Sequence, residues 1–271
     1  MANFHVLSGP GDVLVHPRIR KIGFSDLGDA LAAGFGDFMR KPSHYAFLCL
    51  IYPLVGILLA LWTSGANALP LLYPLMSGFA LIGPLAAIGL YEISRRQELG
   101  EETTWRDAFS VLRSPALPSI VAVGMLLFAL FYAWLASAQT LYQSLFGLSV
   151  PASLGGFITE VFNTDHGRTL LVVGNLVGLG FAFVTLCTTV VAFPLMIDRD
   201  VGAAVAIETS IRAVMHNLVP MLAWGLIVAV LLLIGSLPLL VGLAIVIPVL
   251  GHATWHLYRR VVDVDDVGTH Y

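Results

Sequence analysis

Four stretches of the chain, residues 42–91, 114–159, 169–197 and 213–258, contain no Asp, Glu, Lys or Arg. A helix needs about 20 apolar residues to cross a bilayer, so each stretch holds one or two spans, and turn formers decide which. Thr63, Ser64, Gly65, Asn67 and Pro70 split the first into Tyr45–Trp62 and Leu71–Tyr91. Gly235, Ser236 and Pro238 split the last into Leu218–Ile234 and Pro238–Trp255. The middle stretches give Ala116–Ala138 and Thr169–Ile197, separated by residues 139–168. The expected fold is an all-α polytopic membrane protein with about six transmembrane helices in three hairpin-like pairs.

Shorter amphipathic patterns precede each pair. Apolar residues recur every three or four positions at Phe24, Leu27, Leu31, Phe35 and Phe38, at Trp105, Phe109 and Leu112, and at Ala204, Ile207, Ile211 and Val214. None is long or apolar enough to span, so each predicts a cytoplasmic interfacial helix or a cap packed on the bundle. Residues 139–168 carry two further apolar clusters, around Tyr142 and Phe157, and are expected to form short amphipathic helices on the outer surface or a partner-docking lid. The three units then read as a threefold repeat. Pro84 precedes Arg95 and Arg96 by the same interval that separates Pro248 from Arg259 and Arg260, with Pro194 in the corresponding part of the fourth span.

Charge orients this arrangement. Arg168 alone among the 14 Lys and Arg residues falls on the opposite side of the six-span arrangement from the rest, and this positive-inside bias places both termini in the cytoplasm. Residues 1–43 then form a cytoplasmic N-terminal segment without a signal-peptide core, 44–258 the transmembrane domain, and 259–271 a cytoplasmic tail. Composition agrees, with 58% hydrophobic and 11% charged residues in a chain of 271. A net charge of −3 without a basic stripe argues against nucleic-acid binding. Cys49 and Cys187 each lie in an apolar run and read as small hydrophobes, neither disulfide partners nor metal ligands.

Ionisable groups inside spans are costly, so each is a functional candidate. Aligning the returning spans on their prolines brings Asp198 and His252 to one level, with Glu92 and His256 one turn nearer the cytoplasm and His216 entering at similar depth. His252 and His256, spaced i, i+4, share a helix face and could bind a metal or relay a proton, although no zincin helix or second histidine pair accompanies them. The competing reading is a structural cluster of hydrogen-bonded polar groups at the cytoplasmic helix ends. No nucleotide loop, nucleophile elbow or dinucleotide fingerprint occurs, so nothing favours an enzyme and no cofactor is strongly implied.

The segments from Gly83 to Arg96 (GPLAAIGLYEISRR) and from Gly251 to Arg260 (GHATWHLYRR) resemble the bacterial integral-membrane family termed domain of unknown function 2189. The resemblance runs from about the first interfacial helix to the last span. It implies a multi-pass protein of the bacterial inner membrane, without an established activity. Some family members carry a cytochrome c oxidase subunit label, which points to an accessory or assembly role in a respiratory complex, since the chain does not resemble a haem–copper catalytic subunit. Two functions are therefore expected, the first leading and the second its alternative. One is a small-solute or ion transporter or channel with Glu92, Asp198, His216, His252 and His256 along its pathway or gate. The other is a non-catalytic accessory subunit whose histidines are structural. Partners are the lipid bilayer and either a second copy or another membrane complex.

Overall fold

The computed structural model of the protein describes residues 17–40, 69–149, 151, 153–199, 201–238 and 240–263, and the expected first span, Tyr45–Trp62, lies outside them. Among the described residues four helical runs are long and apolar enough to cross a membrane: Leu69–Glu98, Leu117–Phe146, Asp165–Asp198 and Leu218–Ser236. Each contains one of the expected second to fifth spans. The two 30-residue runs are ~45 Å long at 1.5 Å per residue, which exceeds a hydrocarbon core of about 30 Å.

Within the first run, α2 (Leu72–Ala86) and α3 (Ile88–Glu98) are separated by a turn at Ala87. The second run is a single helix, α4 (Leu117–Phe146), which continues eight residues past the expected end at Ala138. Nothing between Gln139 and Phe146 stops a helix; Gly147 does, taking φ +67° while its N–H closes the last turn on the Gln143 carbonyl at 2.9 Å. Within residues 139–168, where short amphipathic helices are expected, α5 (Leu154–Asn163) forms, capped by the Ser153 hydroxyl, which accepts from the Gly156 N–H at 3.1 Å. The third run comprises α6 (Asp165–Thr189) and α7 (Ala192–Asp198). They part at Val190 and Val191, just where Pro194 lacks the N–H that would bond to the Val190 carbonyl. After α8 (Ala203–His216) come α9 (Leu218–Ser236) and α10 (Leu243–Val261), which begins five residues later than expected for the sixth span.

The chain divides into two compact units. In one, whose described residues fall within 69–83 and 126–185, the Trp134 indole N–H donates to the Pro74 carbonyl at 2.9 Å and the Tyr73 hydroxyl to Asn175 at 2.7 Å. The described residues of the other fall within 17–40, 84–125 and 186–263, and α10 is its centre. From Leu250 to Tyr258 every residue of α10 except His256 is buried, enclosed by α1 (Phe24–Arg40), α3, α7 and α9. This explains the mixed composition of α10, whose polar side chains meet protein partners. Close approach is built from small residues. A Cβ on Gly34 of α1 would collide with the Ala253 backbone, and one on Gly251 would lie 2.6 Å from Leu90 of α3.

Two termini of this unit are tied together. Strand β1 (Arg18–Ile19) pairs antiparallel with β2 (Val262–Asp263), and the Arg20 side chain donates to Asp263. Asn217, buried at the junction of α8 and α9, accepts from the Ile22 N–H at 2.9 Å and donates to the Arg20 carbonyl at 3.0 Å. The amide thus satisfies backbone groups of a segment with too few strand partners of its own.

The amphipathic segments form helices, and the apolar residues that mark them divide between buried and exposed positions. On α1 the buried residues are Leu27, Ala30, Gly34, Asp37 and Phe38, while Phe24 and Phe35 are exposed. The 3₁₀ segment Trp105–Arg113 buries only Val111 and exposes Trp105, Phe109 and Leu112. On α8, Ala206, Thr209, Ser210, Ala213 and Val214 are buried and Ile211 is exposed. Small and polar residues share the helix contacts with Leu27, Phe38 and Val214 because they permit close backbone approach, while Phe24, Phe35, Phe109 and Ile211 point outward.

Candidate functional site

The closeness of α1 and α10 lets a short carboxylate reach across. Asp37 lies one turn beyond Gly34 on the buried face of α1, and its Oδ2 receives His256 Nε2 of α10 at 2.8 Å. The Ser94 hydroxyl of α3 donates to the same oxygen at 3.0 Å and sits 2.7 Å from His252 Nδ1. An ionised carboxylate only accepts, and serine has one proton. If Ser94 gives that proton to Asp37, His252 must carry hydrogen on Nδ1 and donate it to Ser94, and His256 must donate from Nε2. The result is a hydrogen-bonded chain, His252 to Ser94 to Asp37, with His256 closing on the same acid.

Burial raises the Asp37 pKa, but the hydrogen bond and charge of His256, the charge of His252 and the Ser94 hydroxyl outweigh it, so the carboxyl is held below its usual range. Asp37 is 5% exposed and His252 fully enclosed.

Glu92 belongs to a second group. Its carboxylate is gripped by Arg95 at 2.8 and 3.0 Å, by Arg96 at 2.7 Å and by the Ser110 hydroxyl at 3.2 Å. Arg96 also reaches Asp107, 3.3 Å away. A cleft of about 350 Å³ opens here, lined by Glu92, Arg95, Arg96, Arg113, Asp198 and neighbouring residues of the 3₁₀ segment and α7. Asp198 itself accepts from the Tyr258 hydroxyl at 2.7 Å and from Arg259 at 3.4 Å, while Glu98 accepts from the Trp255 indole and Arg259, both at 2.9 Å. His216, at the exposed end of α8, makes no hydrogen bond with any of these.

Of the five residues the sequence grouped, the hydrogen bonds therefore join His252 and His256 through Asp37 and Ser94, hold Glu92 among arginines, and bind Asp198 to the end of α10. Asp37 and Ser94 were not anticipated. The available signal was the i, i+4, i+7 series Ala30, Gly34, Asp37, a small-residue face ending in an acid. Among the described residues no three His, Cys, Asp or Glu converge as a metal site.

Long apolar helices and a polar tier built on helix ends define a multi-pass integral membrane protein. Residues 72–198 match the sequence model of the family described as predicted integral membrane protein (DUF2189), which establishes the resemblance over that stretch. The Gly83–Arg96 motif lies inside the matched region and the Gly251–Arg260 motif beyond it. No curated protein and no solved structure matches the chain.

Proposed function

We propose that this protein is a non-catalytic component of a membrane assembly, an accessory or assembly factor whose buried histidines fasten helices together. The observation that carries this reading is the enclosure of His252, which has no exposed surface and adjoins in sequence Ala253, the residue Gly34 packs against. A solute path along the polar set needs continuous water access, whereas each acid here is engaged by neighbouring donors. The largely exposed apolar surfaces of α6 and α9 suit lipid or the transmembrane helices of a partner. The open cleft containing Glu92 and Asp198 favours the second reading, an ion or small-solute path.

The two readings separate in proteoliposomes enclosing a pH-sensitive dye. The accessory reading expects no flux above protein-free vesicles, and His252→Ala with His256→Ala to melt earlier than the parent. Proton or solute flux that Asp37→Asn abolishes without lowering the melting temperature would overturn it.

The chain is further proposed to cross a bacterial cytoplasmic membrane six times in three related hairpins, with both termini inside. The basic-residue asymmetry supports the orientation. Pro84, Pro194 and Pro248 all lie within helices of the returning spans, consistent with the repeat, although the breaks near the first two fall on opposite sides of the proline. In cells, Ser153→Cys is expected to react with an impermeant maleimide added outside and Glu102→Cys only after lysis. The reverse pattern would invert the topology.

A further inference from the structure

The cleft at the ends of α3, α4 and α7 has a composition that the accessory reading does not use. Three guanidinium groups, Arg95, Arg96 and Arg113, line it against two carboxylates, Glu92 and Asp198. Both carboxylates are already occupied: Glu92 by Arg95 and Arg96, Asp198 by Tyr258 and Arg259. A guanidinium has five N–H donors. Arg95 spends Nε and Nη2 on Glu92, and Arg96 spends Nε on Glu92 and Nη1 on Asp107 and Glu101, so Nη1 of the first and Nη2 of the second keep their hydrogens. Arg113 makes no ion pair among the described residues, and the Ser114 oxygen, accepting from the Ala116 N–H at 3.2 Å, retains its own proton to donate. Glu92 thus fixes two arginines in orientation while the cleft keeps a surplus of N–H donors, and Arg113 brings to it a guanidinium that no carboxylate among the described residues pairs, the arrangement that recognises phosphate oxygens.

The segment bearing Arg113 points to the source of that phosphate. It exposes Trp105, Phe109 and Leu112, with Trp105 and Phe109 edge to face at 6.2 Å, beside Arg106 and Arg113. Bulky aromatic and aliphatic side chains alternating with arginines on a short surface segment are the pattern of an element lying at the level of lipid headgroups. Acyl chains can run along the apolar row while the headgroup enters the cleft, and a volume of about 350 Å³ suits a phosphodiester with its glycerol better than a large soluble cofactor.

We propose that the cleft formed by Arg95, Arg96, Arg113 and Ser114 binds the phosphate of an anionic phospholipid headgroup, held by the free guanidinium donors and anchored beside Trp105, Phe109 and Leu112. This goes beyond the accessory reading and stands or falls separately from it.

Full-length protein, delipidated in a non-ionic detergent, would be titrated with phosphatidylglycerol, phosphatidylcholine and inorganic phosphate and observed by native mass spectrometry. Retention of phosphatidylglycerol at least tenfold above phosphatidylcholine is expected, falling tenfold or more in Arg113→Gln. Arg106→Gln removes the same charge from the same segment without touching the cleft, and should change retention less than twofold. Equal loss in both variants would reduce the effect to surface charge and overturn the cleft. Binding of millimolar inorganic phosphate without a preference for phosphatidylglycerol would overturn the lipid assignment, as would equal retention by the parent and Arg113→Gln. Arg113 is exposed, so its variant should unfold at the parent temperature, which the same preparation checks.

Discussion

Gly34→Val is expected to cost at least about 3 kcal/mol of stability and to lower the unfolding temperature of the detergent-solubilised protein markedly. A side chain at this position meets the N, Cα and Cβ of Ala253, and backbone cannot rotate away as a long side chain can. Helix α1 would have to lift from α10, drawing Asp37 away from His256. Gly36 supplies the control. It lies in the same helix, and a Cβ added there would meet nothing within 4 Å, so Gly36→Ala should be neutral or stabilise by about 0.5–1 kcal/mol through helix propensity. Both variants are read by thermal unfolding in one detergent. Equal melting of Gly34→Val and the parent would mean that the α1–α10 contact does not hold the folded protein together.

The spans were legible because the bilayer imposes one simple demand, a long run without charge, and the intervals 114–159 and 169–197 meet it plainly. Their ends were less legible. Residues 139–146 continue α4 because nothing in them breaks a helix, and Gly147 provides the stop. At the other boundary, Pro238 reads as a helix start, yet the chain makes further turns, with Leu240 at φ +67°, before α10 begins at Leu243.

The amphipathic segments show that apolar spacing locates a helix without saying which side meets the rest of the protein. Periodicity finds the largest apolar residues, and in a water-soluble protein those are the buried ones. Next to lipid the rule weakens, because lipid is as apolar as Leu or Phe and helix contacts are instead made by whatever packs most closely. Phe24 and Phe35 therefore face outward while Ala30 and Gly34 meet α10. The acid was not legible either. Asp37 shares its face with Leu27, Ala30, Gly34 and Phe38, and its partners Ser94 and His256 stand 57 and 219 residues away in the sequence. The i, i+4 spacing did place both histidines on one helix face; only their acid could not be named, because the partner depends on which helix packs there.

Asp37→Ala is expected to destabilise the protein by about 2–4 kcal/mol, since it leaves the Ser94 hydroxyl and the His256 N–H facing a site without an acceptor. Asp37→Asn, which keeps one carbonyl oxygen, should lose less. The pH dependence gives a second signature with a definite sign. Burial works to raise the Asp37 pKa, but the His256 hydrogen bond and charge, with His252 and Ser94, bring the folded-state value below the ordinary 3.8. A carboxyl whose pKa is depressed by folding binds fewer protons in the folded state, so its contribution is fully present above the unfolded-state pKa and disappears as pH falls through the folded-state value. The gap in unfolding temperature between the parent and Asp37→Ala should therefore narrow below about pH 4, where protonation of the carboxyl weakens the parent. Thermal unfolding of both proteins across this range provides the measurement. A gap that widens below pH 4, or an Asp37→Ala protein that melts with the parent at neutral pH, would remove the carboxylate from the centre of the contact.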